Sequence, residues 1–187
     1  MPVWQQFYEA NKEAGVEVLT VAMDAQGPER PRPYVERAGA TFETVVDQGN
    51  LLGGLYGFKA VPNGYLIDED GTVRYVKLGG FDIKKAETRD VLDRWLAGEL
   101  SPDGDDVAVA VSDSDTASQL FAQGIANYNR GDTVTAVSLW RQALSQDPDN
   151  YIIRKQIWAV ENPDRFYEGD IDYDWQREVR TAEEKAR

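Results

Sequence analysis

The chain contains neither cysteine nor histidine. Without thiolate or imidazole ligands, a zinc or copper site is close to excluded, and so is every Ser-His or Cys-His nucleophile pair. Carboxylates, lysines, tyrosines and hydroxyls are the groups left for acid–base work. A lack of thiols says nothing of redox compartment, since it suits either side of a membrane. Positive charge is also scarce. The 20 Lys and Arg against 33 Asp and Glu give a net charge of −13. Such a surface repels phosphate backbones and anionic lipid, which argues against nucleic-acid and membrane-surface partners. No apolar run is long enough to span a bilayer, and no basic-then-apolar leader opens the chain. The sequence assigns no compartment.

What is present is an ordinary globular composition, 42% hydrophobic and 28% charged over 187 residues. That suits one domain with an appendage, or two small ones. Pro2 fits the first turn of a helix, where its missing N–H is no loss. Val3, Trp4, Phe7, Ala10, Asn11 and Ala14 follow at helical spacing with only Asn11 polar, and Gly15 stops the run. Residues 16–23 are nearly all apolar and β-branched, the mark of a strand covered on both faces. Gly27-Pro28 breaks the chain. Residues 33–40 read as a short helix stopped near Gly39, and 41–47 as a strand carrying Phe42, Val45 and Val46. Asn50 is expected to cap a helix over 51–56 that Gly57 ends. Residues 60–68 form a strand entered through an X-Pro bond. Glu69-Asp70-Gly71 is turn chemistry, and 72–78 return as the partner of a hairpin. Asp82 is expected to cap a last helix on which Ile83, Ala86, Val91, Trp95 and Leu96 share a broad apolar face. This element order predicts an α/β unit with a mixed sheet over residues 1–98.

Residues 99–115 change character. Asp103, Asp105, Asp106, Asp113 and Asp115 among small and polar residues read as a solvated acidic linker, with Val107 to Val111 more simply linker than a lone edge strand. Residues 116–162 are helical in pattern. Leu120, Gly124, Gly131-Asp132, Ala136, Trp140, Ala143-Leu144 and Pro148 match the spacing of a tetratricopeptide repeat. Leu120 stands where tryptophan is usual, Gln123 for leucine and Asn127 for tyrosine. One repeat cannot bury its own apolar face, so a third helix over 151–160, with Ile153, Ile157, Trp158 and Val160, is expected to cover it. Pro163 ends that helix. Residues 163–187 carry Phe166, Tyr167, Ile171, Tyr173 and Trp175 before a charged end expected to fray.

Val61-Pro62 is the sharpest candidate site. An X-Pro bond makes a cis peptide inexpensive, and a kink there leaves the preceding backbone free to pair with an extended substrate. The competing reading is a proline opening an edge strand. Asp68-Glu69-Asp70-Gly71 lacks the spaced ligands of a calcium loop and reads as a hairpin turn. Gly49, Gly53, Gly54 and Gly57 do not follow a strand in GxGxxG order, so nucleotide binding is disfavoured. Trp140, Trp158 and Trp175 offer either a recognition surface on the repeat or helix packing, which accounts more simply for the first two.

Residues 1–98 resemble the thioredoxin-like redoxins of the TlpA and ResA type. The carrying motifs are Met1-Pro2-Val3-Trp4, then Val18-Leu19-Thr20-Val21-Ala22, then Val61-Pro62-Asn63-Gly64-Tyr65-Leu66-Ile67-Asp68 with Gly71. The resemblance implies a thioredoxin-like sheet flanked by helices and lacking its first core strand, joined to a small all-α region. It also implies a cis proline at Pro62 that opens a substrate-docking edge at Val61. In that family a Trp-Cys-x-x-Cys motif stands a few residues before the equivalent of Met1-Pro2. The core strand before that motif lies between the partners of residues 16–23 and 65–68. Neither is present here, so no catalytic residue is assigned within the chain.

The whole chain is similar to a ResA-like group with a C-terminal repeat. The added motifs are Phe58-Lys59-Ala60, Gly79-Gly80-Phe81-Asp82, Arg154-Lys155-Gln156-Ile157-Trp158 and Asn162-Pro163-Asp164-Arg165-Phe166-Tyr167. Members of that group with a Trp-Ala-x-x-selenocysteine-Gly-Cys motif imply that Met1 is a false start. Selenocysteine is encoded by a codon normally read as stop, so a reading restarted at the next methionine would begin there. The expected function is thiol-disulfide oxidoreduction through residues upstream of Met1, acting on thiol or disulfide substrates without cofactor or metal. The alternatives are a redox-inactive module gripping a protein partner through the repeat, and a peroxiredoxin-like antioxidant. Relatives are often extracytoplasmic.

Overall fold

The computed structural model describes residues 1–100, 116–169 and 171–185. Most of the expected linker, including Val107 to Val111 and its five aspartates, lies outside the described residues. Helix α1 (Pro2–Asn11) starts on Pro2 and gives way to a 3-10 turn that Gly15 closes at φ 86°. Strand β1 (Leu19–Ala22), α2 (Arg32–Ala38), β2 (Glu43–Val46) and α3 (Leu51–Tyr56) follow. Gly39 at φ 61° and Gly57 at φ 71° stop the two helices, as left-handed C-terminal positions favour glycine. The hairpin is β3 (Asn63–Ile67) and β4 (Val73–Leu78), and α4 (Ala86–Leu96) completes this half.

The strands are shorter than the apolar runs suggested, and they do not join. β1 and β2 form one parallel pair, with Thr20 opposite Thr44 and their hydroxyls 2.8 Å apart; β3 and β4 form a separate antiparallel pair. The mixed sheet expected from the element order is thus two half-sheets. Leu66, Ile83 and Leu92 are buried together beneath Val3, Trp4 and Phe7 of α1, so α1 and α4 cover the hairpin. Gly64 makes this possible: a Cβ there would lie 2.1 Å from the Phe81 ring. Trp95 Nε1 donates to Asp68 Oδ1 at 2.9 Å and ties α4 to the hairpin turn.

Two caps differ from expectation. Asn50 makes no capping bond to α3. Instead the Asp47 carboxylate accepts from Leu51 N at 2.9 Å and Leu52 N at 2.8 Å, because a carboxylate has an oxygen for each donor. Asp82 accepts from Lys84 N at 3.0 Å, closing a turn before α4 rather than capping the helix.

In the helical half, α5 (Thr116–Asn129) and α6 (Thr133–Gln146) form a tight hairpin. Gly124 allows it, since a Cβ at that position would sit 2.2 Å from Trp140 Nε1. Trp140 is fully buried between Phe121 and Tyr128 and donates to Phe121 O at 3.2 Å. Asp132 and Asn150 cap α6 and α7 (Tyr151–Glu161) by accepting from Thr135 N and Ile153 N. Behind α7, Trp158 packs with Phe166 of α8 (Asp164–Tyr167) and Trp175 of α9 (Tyr173–Lys185). The charged end expected to fray is helical as far as Lys185, because Glu183 pairs with the buried Arg154 and accepts from Trp158 Nε1 at 2.9 Å. All three tryptophans named above are therefore packing residues.

Candidate functional site

Both half-sheets end in a loop against the helical half. Successive strand residues turn their N–H and C=O groups to alternate edges. Asp47 N donates to Ala22 O at 2.9 Å, so Ala22 faces β2 and its neighbour Met23 faces the opposite edge, where no strand lies among the described residues. That edge is met by Gln156 of α7. Its Nε2 donates to Met23 O at 2.9 Å, and its Oε1 accepts from Ala25 N at 2.9 Å. These are the two bonds that the N–H and C=O of one residue on a neighbouring parallel strand would make. Gln156 is 7% exposed, and Ala25 is buried in the α5–α7 core.

The same alternation operates at the hairpin. Gly80 N donates to Pro62 O at 3.1 Å, so Pro62 faces β4 and Val61 faces away from it. The Val61-Pro62 peptide is cis. Residues 59–62 are exposed, and neither the N–H nor the C=O of Val61 has a partner among the described residues. Two residues earlier, Lys59 O accepts from Tyr151 N at 2.8 Å and Ile152 N at 3.2 Å, the first N–H groups of α7. Lys59 Nζ pairs with Asp147 at 2.8 Å. Helix α7 therefore begins on the segment leading into Val61 and reaches the end of β1 at Gln156.

A second cluster supports that contact. Asp24 accepts from Gln26 N at 2.9 Å and from the Tyr167 hydroxyl at 3.3 Å; Gln26 Nε2 donates to the same hydroxyl at 2.8 Å. Arg30 lies 4.5 Å over the Tyr167 ring, and Tyr34 donates to Phe166 O at 2.9 Å. Burial pushes the Asp24 carboxyl above its usual value, against the pull of the Gln26 N–H and the Tyr167 hydroxyl. Burial, then the neighbouring Asp24 carboxylate, pushes the Tyr167 phenol up as well. Both oxygens of Asp24 are thus engaged in holding the loop.

Sequence reasoning singled out Val61 and Pro62, whose peptide is cis in the structure, and did not single out Gln156, Lys59, Asp24 or Tyr167. One signal was legible: Gln156 stands between Ile153 and Ile157 on the buried face of α7, where a polar residue needs a partner. Of the hairpin-turn carboxylates, Asp68 is engaged by Arg74 and Trp95, and Asp70 by Arg74. Among the described residues no cluster of three or more potential metal-ligating side chains occurs, and no helix is long and apolar enough to cross a membrane. The site offers an unpaired backbone edge and fixed walls, but no thiol.

Residues 1–76 match the AhpC/TSA family, a redoxin family. Over 88 residues the chain is 34% identical to the thiol-disulfide oxidoreductase ResA of Halalkalibacterium halodurans, covering 46% of this chain and 49% of that protein. It is 35% identical over 74 residues to ResA of Bacillus thuringiensis strain Al Hakam, covering 39% and 42%. Against ResA of Bacillus thuringiensis subsp. konkukian it is 30% identical over 97 residues, covering 51% of each. The chain spans about half the length, or less, of these curated relatives. No solved structure matches it significantly.

Proposed function

We propose that these 187 residues are the docking portion of a thiol-disulfide oxidoreductase whose reactive strand and turn lie outside them. The observation that carries this reading is the pair of unpaired edges bridged by α7. From Ile152 to Gln156 the helix rises about 6 Å at ~1.5 Å per residue, to which side-chain reach adds. Two strands flanking a single intervening strand lie about 9.5 Å apart, twice the ~4.8 Å spacing. A slot one strand wide between β1 and β3 fits the bridge, and the exposed backbone of Val61 lies at its end. The similarity of the α/β half to ResA proteins supports the same reading.

In the proposed reaction a cysteine thiolate or selenocysteine selenolate on the turn attacks one sulfur of a substrate disulfide docked beside Val61 and Pro62. The substrate S–S bond breaks, a mixed intermediate forms, and the departing thiolate takes a proton. A second thiol of the turn attacks the mixed bond, releasing reduced substrate and leaving the turn oxidised; an external dithiol restores it. Residues 116–162 serve in this reading as a tetratricopeptide-like hairpin with a covering helix.

The lack of any thiol favours one second reading, a redox-inactive module that binds a protein partner. Reading the genomic frame upstream of Met1, and assaying dithiol-dependent insulin reduction by both forms, separates the two. Activity is expected only in a product carrying an in-frame Cys or selenocysteine motif; an unrelated or broken frame would leave the binding reading.

A further inference from the structure

A cavity between α1 and α4 combines an apolar floor with two unpaired cations. It measures about 370 Å³, at the small end of the range that ligand pockets occupy. Val3, Gln6 and Phe7 fall at i, i+3 and i+4 on α1, and Arg89, Leu92 and Asp93 repeat that spacing on α4, so each helix turns one face to the cavity. Ile83 and Leu92 are buried, and Val3 and Phe7 pack half-buried against them, which makes the floor apolar. Trp4 backs Phe7 edge-on, with ring centroids 5.7 Å apart. The rim is polar and exposed: Gln6, Lys84, Arg89 and Asp93. Lys85 pairs with Glu87 at 3.8 Å, but neither Lys84 nor Arg89 forms an ion pair among the described residues. Asp93 lies one helical turn beyond Arg89 and is not paired with it. Two cations and one carboxylate leave the rim with a single positive charge, and charges farther than about 8 Å are largely screened at physiological salt.

We propose that the α1–α4 cavity binds a small amphiphilic monoanion, a carboxylate carrying an apolar chain, with its headgroup at Lys84 and Arg89 and its chain over Val3, Phe7 and Leu92. The charge sum on the rim selects a single negative charge, since a phosphate dianion would exceed it and face Asp93. The Arg89 guanidinium presents paired N–H donors that match a carboxylate, and Lys84 adds a point charge. The floor supplies the affinity, because the chain covers apolar surface that α1 and α4 leave in water. The headgroup supplies the orientation. No residue of the Val61-Pro62 segment or of the α7 contacts takes part, so the site stands independently of the redox reading.

The test is an NMR titration of the 187-residue chain with octanoate, octanol and octylammonium, three probes that share one chain and differ in headgroup charge. Octanoate is expected to shift the Val3 and Leu92 methyls and the Phe7 ring saturably, with Kd on the order of 1 mM, ordinary for a ligand of about ten non-hydrogen atoms. Octanol is expected to bind the same residues about fivefold more weakly, the size of one exposed ion pair, and octylammonium more weakly still. Arg89→Gln combined with Lys84→Gln changes exposed side chains only. It is expected to bring octanoate to the affinity of octanol while leaving octanol unchanged. The proposal is overturned by equal affinity for the three probes, by octanoate binding that survives the double substitution, or by no saturable shift at these residues up to about tenfold the expected Kd.

Discussion

The two halves handle polar groups in opposite ways. In the helical half, Arg154 is buried but finds Glu183 and Pro148 O, and Trp140, Trp158 and Asn150 all place their polar atoms on partners. In the α/β half, β1 and β3 each pair with one strand among the described residues, and a single glutamine meets the segment that follows β1. Leu19 of β1 and Ile67 of β3 are exposed. Leaving backbone groups and apolar side chains of a core strand uncovered removes several kcal/mol from a total stability of about 5–15 kcal/mol. The contrast separates a unit whose buried side chains largely find partners, Gln176 Nε2 excepted, from one whose strands each pair with a single neighbour among the described residues.

The largest effect is expected from the self-sufficient side. Trp140→Ala empties the site between Phe121, Tyr128 and Gly124 and is expected to cost about 3–5 kcal/mol, read as a fall in the helical melting transition. Retention of the parental Tm would show that the hairpin is not the stable core. Next is the seam. Gln156→Leu keeps the volume but strands Met23 O and Ala25 N, with an expected loss of about 1–3 kcal/mol in urea titration. An unchanged midpoint would show that water serves those groups as well, and that the halves are tethered rather than docked.

Asp24 sharpens the same seam through pH. Its pKa is raised by burial, so the docked form holds the proton more tightly than the free form. Between the ordinary carboxylate pKa and the raised one, the docked state therefore binds more protons, and stability from this group falls as pH rises through that window. Asp24→Asn removes the penalty. The Tm difference, variant minus parent, is expected to be more favourable at pH 7 than at pH 4; a difference independent of pH would contradict a buried carboxyl. The smallest effect belongs to Lys59→Ala, which breaks an exposed ion pair and is expected to change stability by less than about 1 kcal/mol.

What the sequence revealed follows the same division. Gly15, Gly39 and Gly57 marked helix ends because a left-handed C-terminal position is a local demand. Gly124, Ala136 and Trp140 marked a close helix pair because their spacing is local too. Asn50 misled, because Asp47, three residues earlier, offers two oxygens to the same donors. Gln156 meets Ala25 across 131 residues, and no local pattern announces such a partner. Val61 stood out through its proline, but its open backbone pair follows from the register of β3 against β4, which only the fold supplies.

Amide exchange in the 187-residue chain examines the slot directly. Val21 and Tyr65 turn their N–H groups to the open edges, while Ala22 and Leu66 turn theirs to paired ones. The expected result is protection of Val21 and Tyr65 at least about 100-fold weaker than at Ala22 and Leu66, rising to match them in a product that carries the upstream codons. Equal protection of all four amides in the 187-residue chain alone would mean that both edges are already paired, and that no strand belongs between them.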